Sequence, residues 1–356
     1  MKRLDVWIDG AVGETRMALV DDGRPIALAL WRATDPGRRA RWGETYSARI
    51  AQVDRRRRGA FLDLGLGDSM GFLPLDAQGG ARIAGKSQPV REGERCCVRI
   101  VREAARDKSA VVERVDEPAP DAVGFLARHK SDDQLIEAAP AAPAMRADLD
   151  AAFEEACDRT APIPGGGRLI IEPTAALVAI DVDAGDRSGS NDPETFARDL
   201  NLAAAGEALR QIRLRDLGGL IAIDFVSMRS AKAGEAVMAA LKAHNDPWGL
   251  AFAPMSRFGI VELSRPQLRR PLREAMCGPD GRLSTEAEAF AVLRTIESAG
   301  RAEPGRRIVA ALAPPVAAIL EAAPFDWRGG LDARLGRRWR IEGAPPPGRA
   351  FDVRSD

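Results

Sequence analysis

The amino-acid sequence predicts a multidomain α+β protein, in which a small OB-type β-barrel is followed by an α/β core and a small C-terminal α+β unit. Residues 41–116 contain five short strand candidates separated by Gly-rich or charged turns, as is typical of small closed barrels. Residues 166–265 alternate apolar strands with helices, which is typical of an α/β core. The length of 356 residues leaves room for two or three domains.

The composition is that of an ordinary globular protein. Hydrophobic residues make up 45% of the chain and charged residues 29%, and 52 basic side chains balance 52 acidic ones. These values exclude a disordered, collagen-like or disulfide-stapled chain, and they argue against a basic packaging protein. Four cysteines without a C-x-x-C pair, no visible secretory signal and no apolar run of membrane-spanning length predict a cytoplasmic protein with reduced thiols.

The first two segments are predicted to be β-structure. Residues 1–40 are expected to form a β-meander with strands at 4–8, 15–20 and 25–30, because Asp-Gly turn signals separate apolar runs. Residues 41–116 form the barrel, and 15 Lys and Arg against 11 Asp and Glu give this segment a net charge of +4. Its strands are expected at 44–53, 60–64, 70–75, 95–101 and 109–114.

Residues 117–165 have a different composition, dominated by Pro, Ala and acidic residues. Within them, 4 basic side chains face 9 acidic ones over residues 121–160. We predict an acidic linker with one helix at 145–157.

The core is assigned to residues 166–276 and begins with two strands, at 168–171 and 176–182. Asp192-Pro193-Glu194 predicts a helix start, with Asp as N-cap and Pro in the first turn, and Gly218-Gly219 ends that helix. The apolar run 220–226 is expected to be a strand buried on both faces. A helix at 231–244 and strands at 250–253 and 258–263 complete the core.

Residues 277–356 are predicted to form the small C-terminal domain. The expected elements are a helix at 285–298, a strand at 307–311, a short helix at 314–321 and a strand at 337–341. The tail that follows is rich in Pro and Gly.

Acidic residues interrupt the apolar core strands at two places. Asp181 follows the apolar run 175–180, Asp183 comes two residues later on the same face, and Asp224 lies between Ile223 and Phe225. A carboxylate in a buried strand is costly unless it is paired or bound to a metal. Carboxylates from neighbouring strands suit Mg²⁺, which binds phosphate oxygens and activates water. The alternative is that these residues cap turns or pair with Arg.

Two aromatic residues fall on the second and third barrel strands. OB-folds bind single-stranded nucleic acid on that face by aromatic stacking, and Phe61 and Phe72 occupy it. The run 55–58, which is four Arg, and Lys108 could supply positive charge. The alternative is that both rings belong to the barrel core. The Gly-rich segment 164–167 lacks the Lys-Ser/Thr of a phosphate loop, and neither histidine has partners at ligand spacing.

Three segments of the core resemble the catalytic half of the bacterial ribonuclease E/G family. They are residues 164–183 (PGGGRLIIEPTAALVAIDVD), residues 201–203 continued by 210–225 (RQIRLRDLGGLIAIDF), and residues 256–265 (SRFGIVELSR). Residues 43–50 (GETYSARI) and 59–65 (GAFLDLG) resemble the S1 RNA-binding domain of that family. The resemblance covers about residues 1–116 and 145–340.

The resemblance implies an S1-type barrel, a DNase I-like catalytic core and endonucleolytic cleavage of single-stranded RNA with Mg²⁺, for which Mn²⁺ could substitute. The two metal-binding Asp of the family match Asp181 and Asp224, and a nearby Asn of the family matches Asp183. The Arg of the SRFG segment matches Arg257. The S1 aromatic residues match Phe61 and Phe72, and an RNA-contacting Lys matches Lys108.

The chain departs from the family in two further ways. The interval that holds the 5′-monophosphate sensor shrinks to about 50 residues, and Arg159-Thr160 echoes the sensor only by chance. The family's C-P-x-C zinc link is reduced to one cysteine, Cys277. We therefore expect no 5′-end sensing, no zinc and no dimer through a zinc link, and a homodimer by another route stays open.

The leading hypothesis is a cytoplasmic Mg²⁺-dependent endoribonuclease that acts on single-stranded RNA without contacting a membrane. A non-catalytic RNA- or ribosome-binding protein of the same family is the main alternative. A metal phosphodiesterase acting on small substrates is a third reading, and it would not need the barrel. The assigned residues are Asp181, Asp183, Asp224 and Arg257 for catalysis, Asp181 and Asp224 for the metal, and Phe61, Phe72 and Lys108 for RNA.

Overall fold

The computed structural model describes residues 2–35, 38–66, 69–83, 86–105, 108–116, 134–140, 142–243 and 249–356. Both histidines and residues 117–133 of the predicted linker lie outside these ranges. No helix in the described ranges is long and apolar enough to span a membrane.

The strands are β1 (Lys2–Ala11), β2 (Glu14–Asp21), β3 (Arg24–Arg32), β4 (Thr45–Asp54), β5 (Gly59–Leu66), β6 (Ser69–Pro74), β7 (Gly80–Ile83), β8 (Lys86–Pro89), β9 (Arg95–Arg102), β10 (Ala110–Val115), β11 (Gln134–Pro140), β12 (Thr160–Pro162), β13 (Arg168–Pro173), β14 (Val178–Asp183), β15 (Gly219–Asp224), β16 (Ala251–Phe252), β17 (Ile260–Arg265), β18 (Ile308–Leu312), β19 (Trp339–Ile341) and β20 (Phe351–Ser355). The helices are α1 (Pro143–Cys157), α2 (Pro193–Leu214), α3 (Ala231–Ala243), α4 (Leu272–Met276), α5 (Thr285–Ala302), α6 (Pro314–Glu321) and α7 (Trp327–Leu335).

The N-terminal meander is present as predicted, but its sheet contains a fourth strand. β1, β2 and β3 are antiparallel, and β11 pairs in parallel with β1 at the sheet edge. The predicted linker therefore contributes a strand, followed by α1, which packs in one apolar cluster with this sheet. The sequence analysis did not predict β11, because the Pro- and Ala-rich linker has weak strand propensity and the strand that pairs with β11 is more than 120 residues away.

The barrel is closed by five strands in the order β10-β6-β5-β4-β9. Each of the five expected strands is present within a few residues of its predicted bounds, and the neighbour relations are those of an OB-fold. Alternate residues such as Leu62, Leu64 and Leu73 fill the interior. A short hairpin of β7 and β8 is an addition that was not predicted.

The core is a six-stranded sheet in the order β12-β13-β14-β15-β17-β16, with α2 and α3 on one face. β14 and β15 are parallel, and the other neighbouring strands are antiparallel. Asp192 caps α2 as predicted, because its side chain accepts a hydrogen bond from the Thr195 N–H at 2.9 Å. Ile180, Ile221 and Val261 pack against these helices.

The prediction that residues 220–226 form a strand buried on both faces is wrong. Ile221 and Ile223 are buried against the helices, but Leu220 on the opposite face is 45% exposed and Asp224 is exposed too. Among the described residues, helices therefore cover only one face of the sheet. The apolar run hid an alternating pattern because small or apolar residues also occupy the exposed face. We call this exposed side, which carries Asp181, Asp224 and Ile260, the open face.

The C-terminal segment folds as a three-stranded sheet, β19-β18-β20, packed against α5, α6 and α7. The sequence did not predict α7, whose two glycines lower helix propensity, or β20 in the Pro/Gly-rich tail. Val12 from the N-terminal meander belongs to the same apolar cluster. The segment is thus anchored to the beginning of the chain.

The most specific stretch of the sequence, RQIRLRDLGG, forms a buried polar network at the end of α2. Arg215 is 2% exposed and donates hydrogen bonds to the main-chain oxygens of Glu155 and Thr160 at 2.9 and 3.2 Å. Asp216 pairs with Arg265 and Arg269 at 3.0 and 2.7 Å. This network fixes the start of β15 relative to α1, β12 and β17, and so sets the position of Asp224 five residues downstream of the motif's second glycine.

Candidate active site

The parallel register of β14 and β15 places Asp181 directly beside Asp224 on the open face. Neighbouring strands lie about 4.8 Å apart, so the two carboxylates are close neighbours although 42 residues separate them in the sequence. Partial burial raises the pKa of Asp181, and the negative charges of Asp224 and Asp183 raise it further. The fold therefore concentrates negative charge at this point of the sheet.

One argument made from the sequence is wrong. Asp181 and Asp224 were singled out as carboxylates inside buried strands, but both side chains are exposed on the open face. Desolvation in a two-sided core is therefore not what distinguishes them. The like-charge pair is the distinguishing feature, because like charges directly opposite each other on neighbouring strands are destabilising.

Asp183 shares the face of Asp181 but has partners of its own. Arg168, opposite it on β13, donates to one carboxylate oxygen from Nε at 2.8 Å, and the Gly185 N–H donates to the other at 3.0 Å. The Gly185 N–H and the Arg168 guanidinium together lower the pKa of Asp183. Arg168 thus neutralises the extra carboxylate that this chain carries beside the pair.

The carboxylate pair suits a hard divalent cation. Mg²⁺ keeps several waters and is usually held by one or two carboxylates, and Asp181 and Asp224 supply that number. No group of three or more His, Cys, Asp or Glu arranged to hold a metal ion occurs among the described residues.

Asn201 fixes the segment that follows Asp224, a role that the sequence analysis missed. Its amide nitrogen donates to the Val226 oxygen at 2.7 Å, and its amide oxygen accepts from the Val226 N–H at 3.1 Å. The side chain is fully buried in α2. The available signal was a polar residue on the apolar stripe of that helix, beside Leu200 and Ala204.

Arg257 lies on a tight turn that precedes β17, next to the end of β15. The Phe225 N–H donates to the Gly259 oxygen at 3.3 Å, and Ile260 is the register partner of Asp224. The Arg257 guanidinium is exposed and lies 4.6 Å from the centre of the Phe258 ring. The turn therefore brings a cation and an aromatic ring to the end of β15 at which Asp224 lies.

Phe61 and Phe72 are register partners on β5 and β6 and point away from the barrel core. Their neighbours Leu62 and Leu73 are buried inside the barrel, whereas both Phe rings are partly exposed and meet edge to face at 5.5 Å. Gly59 leaves the space that Phe72 fills, since a Cβ there would lie 2.1 Å from the ring. This alternation does not fit the alternative in which both rings belong to the barrel core.

Positive charge lies beside this aromatic pair. The four Arg of residues 55–58 are exposed in the β4–β5 turn, and the Arg57 guanidinium lies 5.9 Å from the Phe61 ring. Lys108 is exposed just before β10, the strand that pairs with β6 at Phe72. Lys108 also lines a cavity of about 1250 Å³ between the barrel, the first sheet and the core, whose lining does not include the carboxylate pair.

Cys277, the residue expected to be a remnant of a zinc link, contacts a second thiol within the chain. Its side chain is hydrogen-bonded to that of Cys157 at the end of α1. This hydrogen bond lowers the pKa of Cys277 to about 7, whereas the pKa of Cys157 is raised by the same contact and by burial.

Comparison with known proteins supplies the family. Residues 82–268 match the model of the ribonuclease E/G family, which is more than half of the chain. The chain therefore belongs to the ribonuclease E/G family. The matched interval contains Asp181, Asp183, Asp224 and Arg257, whereas Phe61 and Phe72 precede it.

Three relatives show the extent of the similarity. The chain is 34% identical over 181 residues to ribonuclease E of Escherichia coli (strain K12), which is 48% of this chain and 17% of the relative. It is 25% identical over 207 residues to ribonuclease G of the same strain, covering 56% and 42%. It is 34% identical over 126 residues to the chloroplastic ribonuclease E/G-like protein of Arabidopsis thaliana, covering 34% and 13%. The chain thus spans less than half the length of these relatives.

Proposed function

We propose that the protein is a metal-dependent endoribonuclease that cleaves single-stranded RNA. The observation that carries the proposal is the juxtaposition of Asp181 and Asp224 on an uncovered sheet face, within the interval that matches the ribonuclease E/G family. Two exposed carboxylates side by side gain nothing for stability, because they repel each other. A cation-binding role accounts for their placement.

Asp181 and Asp224 would hold the cation, and Mg²⁺ is the ion that their oxygen ligands and solvent access favour. When bound, such an ion polarises the phosphodiester and lowers the pKa of a water molecule. Asn201 keeps the end of β15 in place through its two hydrogen bonds to Val226. Asp183 would orient the ion or one of its water molecules. It adds no net charge, because Arg168 neutralises it.

Arg257 supplies a positive charge from the turn beside Asp224. Its guanidinium lies 4.6 Å from the centre of the Phe258 ring. An exposed guanidinium at this edge binds a phosphate oxygen of the RNA and stabilises the negative charge that develops there during cleavage.

The barrel would hold the single strand. Phe61 and Phe72 offer ring surface for bases, while Lys108 and the Arg run of residues 55–58 offer charge for phosphates. We further propose that cleavage does not depend on a 5′-monophosphate and that the protein contains no zinc link. The contact of Cys277 with Cys157 supports the second point, because it engages the thiol within its own chain.

The test is cleavage of a fluorogenic single-stranded RNA in the presence and absence of Mg²⁺. Asp224→Asn is expected to lower kcat by on the order of 10²-fold or more, since metal-assisted charge stabilisation amounts to several kcal/mol. Glu262→Gln is the matched control, because Glu262 is an exposed carboxylate on the same face but pairs with Ala222. If Asp224→Asn cleaves as fast as the wild type, the metal assignment is wrong.

The barrel contribution is tested by RNA affinity. Loss of base stacking costs about 1–3 kcal/mol per base, so Phe61→Ala and Phe72→Ala are each expected to weaken binding about 5- to 150-fold. Phe61→Tyr keeps the ring and should bind as the wild type does. The non-catalytic alternative predicts the same salt-sensitive binding without Mg²⁺-dependent products, so the cleavage assay separates the two functions.

A further inference from the structure

The turn between β16 and β17 is rigidly held beside the carboxylate pair. The Ser256 N–H donates to the Ile260 oxygen at 2.8 Å, and the Gly259 N–H donates to the Ser256 oxygen at 3.0 Å. The Ser256 hydroxyl also accepts from the Phe258 and Ile260 N–H groups, both at 3.2 Å. Gly259 has a φ of +87°, and a Cβ there would lie 3.1 Å from the Phe225 oxygen, so the turn and the end of β15 approach closely.

The Phe258 side chain projects from this turn into solvent. It is 68% exposed, the highest value among the exposed large hydrophobic residues that the structure describes, and the others lie between 36% and 45%. Arg257 lies over the ring at 4.6 Å from its centre. With one face against a guanidinium and most of the side chain in solvent, the ring still offers a face on which a flat group can stack.

We propose that Phe258, with Arg257 over it, is a nucleobase-stacking platform that holds one base of a single-stranded RNA next to Asp181 and Asp224. This inference rests on the proposed function, because RNA is the proposed substrate. The base stacks on the ring, and the guanidinium binds an adjacent phosphate. Single-strand binding sites combine these two interactions. A base stacked on Phe258 fixes which phosphodiester of the RNA lies at Asp181 and Asp224.

The surroundings favour a nucleobase over an apolar protein surface. The centres of protein–protein interfaces are enriched in Phe and Arg but depleted of Asp and Glu, so the nearby carboxylates are what disfavours a protein partner. Phe258 is flanked by the Arg257 cation and lies two residues from Ile260, the register partner of Asp224. A nucleotide carries an uncharged flat base and an anionic phosphate, so it satisfies the ring and the cation together while the carboxylates stay solvated.

The test combines protein variants with RNA that lacks single bases. Phe258→Leu keeps an apolar side chain but removes the aromatic face, Phe258→Tyr keeps the face, and both changes are at an exposed position where folding is unaffected. Each protein is assayed with a set of oligonucleotides in which one abasic ribose is moved stepwise along the strand. Binding is followed by fluorescence anisotropy in the Asp224→Asn background without Mg²⁺, and cleavage in the wild-type background with Mg²⁺.

We expect the loss of RNA affinity caused by removing one base to depend on whether the protein carries the aromatic ring at position 258. At one position, base removal should weaken binding to the wild-type ring by about 5- to 100-fold, and Phe258→Leu should abolish that sensitivity. Phe258→Tyr should retain it, and KM should rise in Phe258→Leu while kcat changes little. Phe72→Leu, in the barrel, is the matched control and should affect a different position.

Two results would overturn the inference. One is a Phe258→Leu protein that binds every oligonucleotide as the wild type does, and the other is an abasic penalty that is the same with and without the ring. In either case the effect of Phe72→Leu and the Mg²⁺-dependent cleavage can still be present, so the proposed function survives. Conversely, an intact Phe258-dependent pattern of binding without any cleavage refutes the enzymatic function and leaves the platform standing.

Discussion

Replacement of Asn201 by Ala tests whether the end of β15 must be held in place for the carboxylate pair to function. Asn201 is fully buried and makes two hydrogen bonds to Val226, at 2.7 and 3.1 Å, two residues after Asp224. The change removes both bonds and leaves the Val226 N–H and oxygen without that partner. At about 1–2 kcal/mol for each disrupted group, the free energy of unfolding should fall by about 2–4 kcal/mol.

Two measurements separate stability from positioning. Thermal unfolding should show a decrease in Tm of about 4–16 °C, at about 2–4 °C per kcal/mol for a unit of this size. Cleavage, measured well below the new Tm, should fall on the order of 10- to 100-fold, because Asp224 is displaced relative to Asp181. RNA affinity should fall much less than the cleavage rate, since the barrel is untouched.

Asp9→Ala is the control in a different part of the chain. Asp9 is 6% exposed on β1 in the N-terminal sheet, and it accepts hydrogen bonds from Arg16 and Arg146, both at 3.1 Å. It should lose a comparable amount of stability and retain its cleavage rate. The reasoning is refuted if Asn201→Ala cleaves RNA like the wild type, or if both variants lose activity in proportion to stability alone.

Two further predictions follow from the pKa shifts. Because its pKa is raised in the folded state, Asp181 destabilises the metal-free protein as pH rises above the ordinary carboxyl pKa of about 3.9. Asp224→Asn should therefore raise the metal-free stability by up to about 1 kcal/mol near pH 7 and leave it unchanged near pH 3, as urea unfolding in EDTA will show. Cys277, with its pKa lowered to about 7 by Cys157, should be alkylated by iodoacetamide before the other cysteines at neutral pH, and Cys157→Ala should shift the midpoint of that reaction upward, as followed by mass spectrometry.

Local patterns were sufficient where the structure depends on local interactions. The α2 start at Asp192-Pro193 and the five barrel strands were predicted because caps, turns and alternation are encoded within a few residues. The strand β11 and the helix α7 were missed, since tertiary pairing and packing stabilise them against weak intrinsic propensity. No local pattern carries that information.

The candidate site was found for a partly wrong reason. Asp181, Asp183 and Asp224 were chosen as polar interruptions of apolar strands, and the structure does bring Asp181 and Asp224 together. The inference that they are buried failed, because a strand with Ala and Leu on its exposed face has the same composition as a strand buried on both faces. Asn201 was missed because its hydrogen bonds reach Val226 across the chain, and Phe258 was missed because it was assigned to a strand at 258–263, whereas it lies in the turn before β17.

The contacts that position the two carboxylates are concentrated in one part of the sheet. The carboxylate pair is created by the register of β14 against β15, the end of β15 is held by Asn201 of α2, and the Arg257 turn is attached through Phe225 and Gly259. All of these residues lie between positions 178 and 260, in one sheet with its covering helices. The position of the two carboxylates relative to each other therefore depends on this sheet and its covering helices, and a change at Asn201 or at the β14–β15 register would disturb it.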